Sequence, residues 1–188
     1  MIFPPRTVVL KNGESAIFRS PTVDDATAML DYLKTVCSET EFMLRYPEEC
    51  TMTEASEAAF LQRVTESTDD LMILCEVGDK IVGNCSLSCH NYIKTRHRAD
   101  VAIGILRSHW GKGIGTFMFQ EIIDVARNHG ISQLELEVIE GNHRAMALYK
   151  RMGFHIALQR PDSIRLKDGT RLCEYIMINQ LEDDHVSI

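Results

Sequence analysis

The sequence predicts an α/β fold in which a mixed sheet is flanked by helices and contained in one domain. Three observations predict it. Hydrophobic spacing alternates between strand and helix periods in the order β-β-α-α-β-β-β-α-β-α-β-β. Turn dipeptides punctuate that pattern where hairpins are needed, at Asn12-Gly13, Gly78-Asp79 and Lys167-Asp168-Gly169. The length of 188 residues suits a single domain large enough to bury a core.

Each element follows from its residues. Residues 7–11 and 14–19 read as a hairpin around Asn12-Gly13. Asp24 and Asp25 open a helix with apolar Ala26, Met29, Leu30 and Leu33 at helical spacing. An irregular segment from Glu39 is ended by Pro47, and Thr53 caps a second helix running to about Thr65. Leu71–Val77 and Lys80–Ser88 form the next hairpin, followed by a strand from Ala99 to Leu106. After a turn over Ser108–Gly115, Phe117, Met118, Ile122, Ile123 and Ala126 trace an amphipathic helix ending near Gly130. Leu134–Ile139 is a strand, and Asn142 begins a helix stopped by Gly153. Strands at 154–159 and 171–181 close the chain. No repeat or Pro/Gly/Ser linker divides it, so the expected domain is 1–188, with its core at about 15–180.

Composition excludes several function classes. The chain is 45% hydrophobic and 25% charged, close to globular averages. A net charge of -7 gives no electrostatic reason to expect nucleic-acid binding. No apolar run approaches the roughly 18 residues of a membrane span, so no membrane partner is expected. The N-terminus carries two prolines and does not read as a secretory signal. Six cysteines without a C-x-x-C pair then read as reduced thiols of a cytoplasmic protein. No metal is expected, because neither the cysteines nor the seven histidines show zinc-ligand spacing.

The most informative stretch runs from Val101 to Thr116, where a strand enters a glycine-dense turn that opens directly into a helix. Glycines free the backbone to gather several N–H groups around one point. Together with the unsatisfied amides of a helix N-terminus, they suit phosphate oxygens, and Lys112 adds a positive charge. The Walker pattern fails because Lys112 precedes the last two glycines. The dinucleotide pattern fails because position 116 is Thr116 rather than glycine. A plain tight connection between strand and helix is the competing reading.

The run Trp110-Gly111-Lys112-Gly113-Ile114-Gly115 resembles the Arg/Gln-x-x-Gly-x-Gly/Ala motif of the GCN5-related N-acetyltransferase (GNAT) superfamily. Downstream, Asn142-His-Arg-Ala145-Met-Ala-Leu148-Tyr149-Lys-Arg-Met-Gly153-Phe154 is similar to that family's N-x-x-A-x-x-L-Y-x-x-x-G-F segment. The two blocks keep the family's order and separation. One departure is Trp110, which stands where the family usually has Arg or Gln. The resemblance implies a single-domain, mostly antiparallel sheet flanked by helices. It also implies acetyl-CoA as co-substrate, with its diphosphate on the backbone of Gly111, Lys112, Gly113, Ile114, Gly115 and Thr116. The pantetheine arm would lie along Ile103 to Leu106, pairing like an added strand. An amide of Ile103 or Ile105 would polarise the thioester carbonyl. An amine would then attack directly, without a covalent enzyme intermediate.

By the same resemblance Tyr149 protonates the departing thiolate, since a phenol is protonated at neutral pH. The alternative is a half-buried aromatic on an amphipathic helix. Asn142 matches a residue that bonds the pantetheine amides, and it is equally an ordinary N-cap. Asp100, which begins the strand before the loop, ranks first as base, with Glu76, Glu137 or a water chain as alternatives. Glu39, Glu41, Glu48 and Glu49 cluster around Phe42, Leu44 and Tyr46, either as a site for a cationic amine or as a solvated loop. The implied partner is a small-molecule amine. Acetylation of protein N-termini or lysines and a non-catalytic CoA-binding module are the other readings, and a homodimer stays open.

Overall fold

The computed structural model describes residues 1–181; positions 182–188 of the expected domain lie outside the described residues. Eight strands form a mostly antiparallel sheet in the order β1-β2-β3-β4-β5-β6-β8-β7. The elements are β1 (Arg6–Val9), β2 (Ser15–Arg19), α1 (Ala26–Glu39), α2 (Glu54–Glu66), β3 (Asp70–Val77) and β4 (Lys80–Cys89). They continue as β5 (Arg98–Ile105), α3 (Ile114–Asn128), β6 (Gln133–Ile139), α4 (His143–Arg151), β7 (His155–Arg165) and β8 (Arg171–Gln180). The order matches the one the sequence predicts. The chain forms two compact units, residues 1–88 with 103–118, and residues 89–102 with 119 onward.

In the first unit, Ala26, Met29, Tyr32 and Val36 recur every three or four residues, so α1 presents one apolar stripe. That stripe packs in one cluster with Leu61 and Val64 of α2 and with Met72 and Leu74 of β3. The α2 helix starts where expected, because the Thr53 hydroxyl accepts a hydrogen bond from the Ser56 amide at 3.2 Å. Arg19 at the end of β2 forks onto both Asp25 oxygens at 2.7 Å and reaches Glu76 on β3 at 2.8 Å. Burial pushes the Asp25 carboxyl up, but the Arg19 guanidinium and the Thr22 amide outweigh it and hold it below the usual range.

In the second unit, Leu134, Leu136 and Val138 alternate as the buried side of β6. Phe119 of α3, Tyr149 of α4 and Phe154 form an aromatic triangle with ring centroids 5.4, 5.7 and 6.2 Å apart. The β5–β6 pairing is parallel and covers only Arg98–Gln133, Ala99–Leu134 and Asp100–Glu135. Val101 and Ala102 have no partner in β6, although β6 goes on pairing with β8 as far as Ile139. The two strands therefore fork after Asp100.

The largest departure from the expected boundaries is in β7. β7 runs to Arg165 rather than ending near 159, passing through Pro161 and through Asp162 at φ +54°. The strand survives both because it is the last in the sheet and its register shifts between Arg160 and Ile164. An edge strand with a bulge tolerates a proline that a central strand does not.

Candidate active site

In the first unit the glycine-dense turn is built as the sequence predicts. β5 ends at Ile105, the Leu106 amide donates to the Val82 carbonyl at 2.9 Å, and one 3₁₀ turn leads to Trp110. Gly111 and Gly113 follow at φ +78° and +97°, a region closed to most side chains, and α3 opens at Ile114. At Gly113 it is the dihedral that requires glycine, since an added Cβ would only touch the Lys11 side chain at an ordinary 3.6 Å. Ile114, Gly115 and Thr116 lie in the first turn of a fifteen-residue helix. Their amides have no partner inside the helix, and the positive end of its dipole coincides with them. This backbone fits the oxygens of a diphosphate.

Two side chains of the turn are committed locally. The Lys112 ammonium lies 2.8 Å from Glu14, and the Lys112 carbonyl accepts from the Lys11 amide at 3.1 Å. That pair, with Asn12, holds the exposed Glu14 carboxyl below its ordinary range. The Lys112 charge thus fastens the turn to the first hairpin. The Trp110 indole N–H donates to the Ile105 carbonyl at 2.7 Å, and the Arg107 guanidinium sits 5.6 Å from the ring centroid. Trp110 therefore ties the turn to the end of β5.

Gly104 marks close packing that sequence reading missed. A Cβ there would lie 2.7 Å from the Tyr32 hydroxyl, which itself donates to Asn84 at 2.9 Å. Burial pushes the Tyr32 phenol well above its ordinary range, which keeps it a donor. Only a glycine lets β5 pass that ring.

In the second unit Asn142 caps α4: its side-chain oxygen accepts from the Ala145 amide at 3.2 Å. Tyr149 is buried seven residues on, its ring edge-on to Phe119. Asp100 is 63% exposed and lies 3.1 Å from His90 Nε2, a partner that sequence reading did not single out. The available signal was positional, a histidine just after one strand and an aspartate two residues inside the next. The other carboxylates weighed as bases are engaged elsewhere. Glu76 is held by Arg19 at 2.8 Å, and Glu137 by Arg160 at 3.3 Å.

The acidic segment of the first unit also has local duties. Glu39 accepts from the Arg107 amide at 2.6 Å, and Glu49 accepts from the Tyr46 amide at 2.8 Å. Cys50 and Cys37 face each other there with sulfurs 3.8 Å apart. None of the six cysteines is paired in a disulfide. Among the described residues, no group of three or more His, Cys, Asp or Glu is placed to hold a metal ion, and no helix is long and apolar enough to cross a membrane.

Comparison with known proteins adds to this geometry. A family model described as "Acetyltransferase (GNAT) family" matches residues 35–154. An uncharacterized N-acetyltransferase of Methanocaldococcus jannaschii is 34% identical over 90 residues, 46% of this chain. The match spans 39% of that relative, so the chain covers about two fifths of its length. A GNAT-family acetyltransferase of Streptococcus pneumoniae superimposes with a TM-score of 0.83 at 25% identity, over 88% of this chain and 99% of that one. The Salmonella typhimurium protein yncA, solved with its cofactor acetyl-CoA, gives 0.77 at 18% identity, over 92% and 98% of the two chains.

Proposed function

This chain belongs to the acetyltransferase (GNAT) family, and from that premise we propose that it transfers the acetyl group of acetyl-CoA directly to a primary amine of a small molecule. The observation that carries the reading is the strand–turn–helix junction, where Gly111 and Gly113 at positive φ precede the free amides of α3. Those amides receive the diphosphate without help from a side chain at position 110, which accounts for a tryptophan there. The donor's pantetheine amides pair along Ile103 to Leu106, and an Ile103 or Ile105 amide stabilises the charge that grows on the thioester oxygen.

Tyr149 gives a proton to the sulfur as the carbon–sulfur bond breaks. Asp100, at the last paired position before β5 and β6 fork, supplies negative charge that favours loss of a proton from the amine. The side-chain oxygen of Asn142 serves α4, which leaves its NH₂ group as the part that meets a donor amide. Cysteines without a C-x-x-C pair suit reduced thiols and action in the cytoplasm. The whole chain acts as one catalytic domain.

A thermal-shift titration tests the donor half of this reading. Acetyl-CoA stabilises the folded protein by mass action, roughly 2.7 kcal/mol at a hundredfold excess over Kd. Gly113→Val abolishes the shift, because valine does not adopt φ +97° without distorting the turn. No response of the unsubstituted protein to saturating acetyl-CoA would remove the reading.

A further inference from the structure

We propose that His90 is the base that accepts a proton from the attacking amine, with Asp100 as the residue that positions it. The inference rests on the acetyl-transfer reading and assigns that reaction's proton acceptor. The β4–β5 hairpin brings the two residues together. His90 directly follows β4 and donates its backbone N–H to the Arg98 carbonyl at 3.0 Å. Asp100 stands two residues further along β5, and its Oδ2 lies 3.1 Å from His90 Nε2. With the ring proton on Nε2 donated to that carboxylate, Nδ1 is left as the basic atom.

The neighbouring charges sort in a way that keeps this pair together. Asp100 lies directly across from Glu135 in the parallel register, and opposed like charges are destabilising. Arg98 takes Glu135, with Nη2 at 2.6 Å from Oε2, and Gln133 adds a hydrogen bond at 2.8 Å. These contacts, with Arg98 first, hold the Glu135 carboxyl below its ordinary range despite burial. Around the imidazole, Asp100 on β5 is in direct contact and Glu135 on β6 is close enough to feel the ring's charge, while Arg98 on β5 pairs with Glu135. The permanent cation neutralises one carboxylate, and the titratable ring is paired with the other.

Chemistry and position both favour the ring. A neutral imidazole nitrogen is a ready proton acceptor, and a carboxylate on the opposite ring nitrogen fixes its tautomer and stabilises the imidazolium that forms. The His90 side chain is 25% exposed, so a captured proton has a path to water. The pair also stands at the last position where β5 pairs with β6, a few residues before the stretch from Ile103 assigned to the donor. The balance is simple. The ammonium form of the acceptor gives one proton to Nδ1, and its nitrogen forms the bond to the acetyl carbon as the carbon–sulfur bond breaks. The electron pair leaves on sulfur, which takes a proton from Tyr149. The new amide nitrogen sheds a second proton that restores Tyr149, and the imidazolium returns the first to water.

The test compares His90→Gln, Asp100→Asn and the double variant. In His90→Gln, kcat/KM at pH 7 falls about 100-fold, and the acid limb of its pH profile disappears. Asp100→Asn also lowers kcat/KM, and the double variant is no slower than His90→Gln, since the two residues act as a unit. Ring ¹⁵N spectra of the resting protein give a readout independent of turnover, with the proton on Nε2 and a bare Nδ1. Activity and acid limb unchanged in His90→Gln, losses that multiply in the double variant, or a ring protonated on Nδ1 instead would each overturn the proposal. If no amine is acetylated by the unsubstituted protein, the acetyl-transfer reading fails, while the ring spectrum still decides whether the pair exists.

Discussion

Two of the proposed site residues show how one side chain's role depends on what its atoms already hold. The Trp110 indole N–H is bound to the Ile105 carbonyl, so this residue braces the turn from inside. Trp110→Phe keeps an aromatic ring and deletes that donor, leaving a half-buried carbonyl without it. Stability to urea should fall by about 1 kcal/mol while acetyl-CoA affinity changes little. Tyr149 poses the opposite case, because its ring packs in the aromatic triangle whether or not the phenol reacts. Tyr149→Phe preserves the ring, so folding and donor binding should persist. Its single-turnover rate should fall roughly 100-fold, with KM for acetyl-CoA nearly unchanged. A parental single-turnover rate would make Tyr149 a packing residue.

The elements were legible wherever short-range chemistry decides them. Thr53 at an N-cap, Gly78-Asp79 in a hairpin and the alternation of Leu134, Leu136 and Val138 each act within a few residues, and each element forms where expected. The glycine turn was legible for the same reason. What was hidden depends on partners distant in sequence. Nothing near Lys112 announces Glu14, nothing near Gly104 announces Tyr32, and His90 meets Asp100 only once the hairpin has closed. The end of β7 escaped because its tolerance of Pro161 comes from its place at the sheet edge.

One element carries an uncompensated feature. Glu57, in the first turn of α2, is 2% exposed, and its Oε1 has no hydrogen-bond partner. Burial pushes its carboxyl up, more than the Arg45 charge draws it down. A carboxyl raised on folding favours the protonated native state, so its charge weakens the fold above that raised pKa. Glu57→Gln should therefore raise the urea midpoint at pH 7. The gain should shrink as pH falls toward about 4, where the unfolded glutamate also becomes protonated.

At the scale of the whole molecule, family membership and the sheet order say what kind of chemistry the chain is built for. The acceptor is the part its residues describe least. Glu39 and Glu49 spend their carboxylates on backbone amides, so the acidic segment first serves its own architecture. The most direct measurement is therefore one that does not presuppose the acceptor. The protein is incubated with acetyl-CoA and a panel of polyamines, amino sugars, amino acids and lysine- or N-terminal-amine peptides. Thiol release and product mass are followed together. The account predicts amine-dependent thiol release with the acetyl group recovered on the nitrogen of a small amine. Acetylation confined to the peptides would shift the reaction to protein substrates. Acetyl-CoA binding without thiol release for any amine would contradict the account and leave a protein that binds the donor without using it.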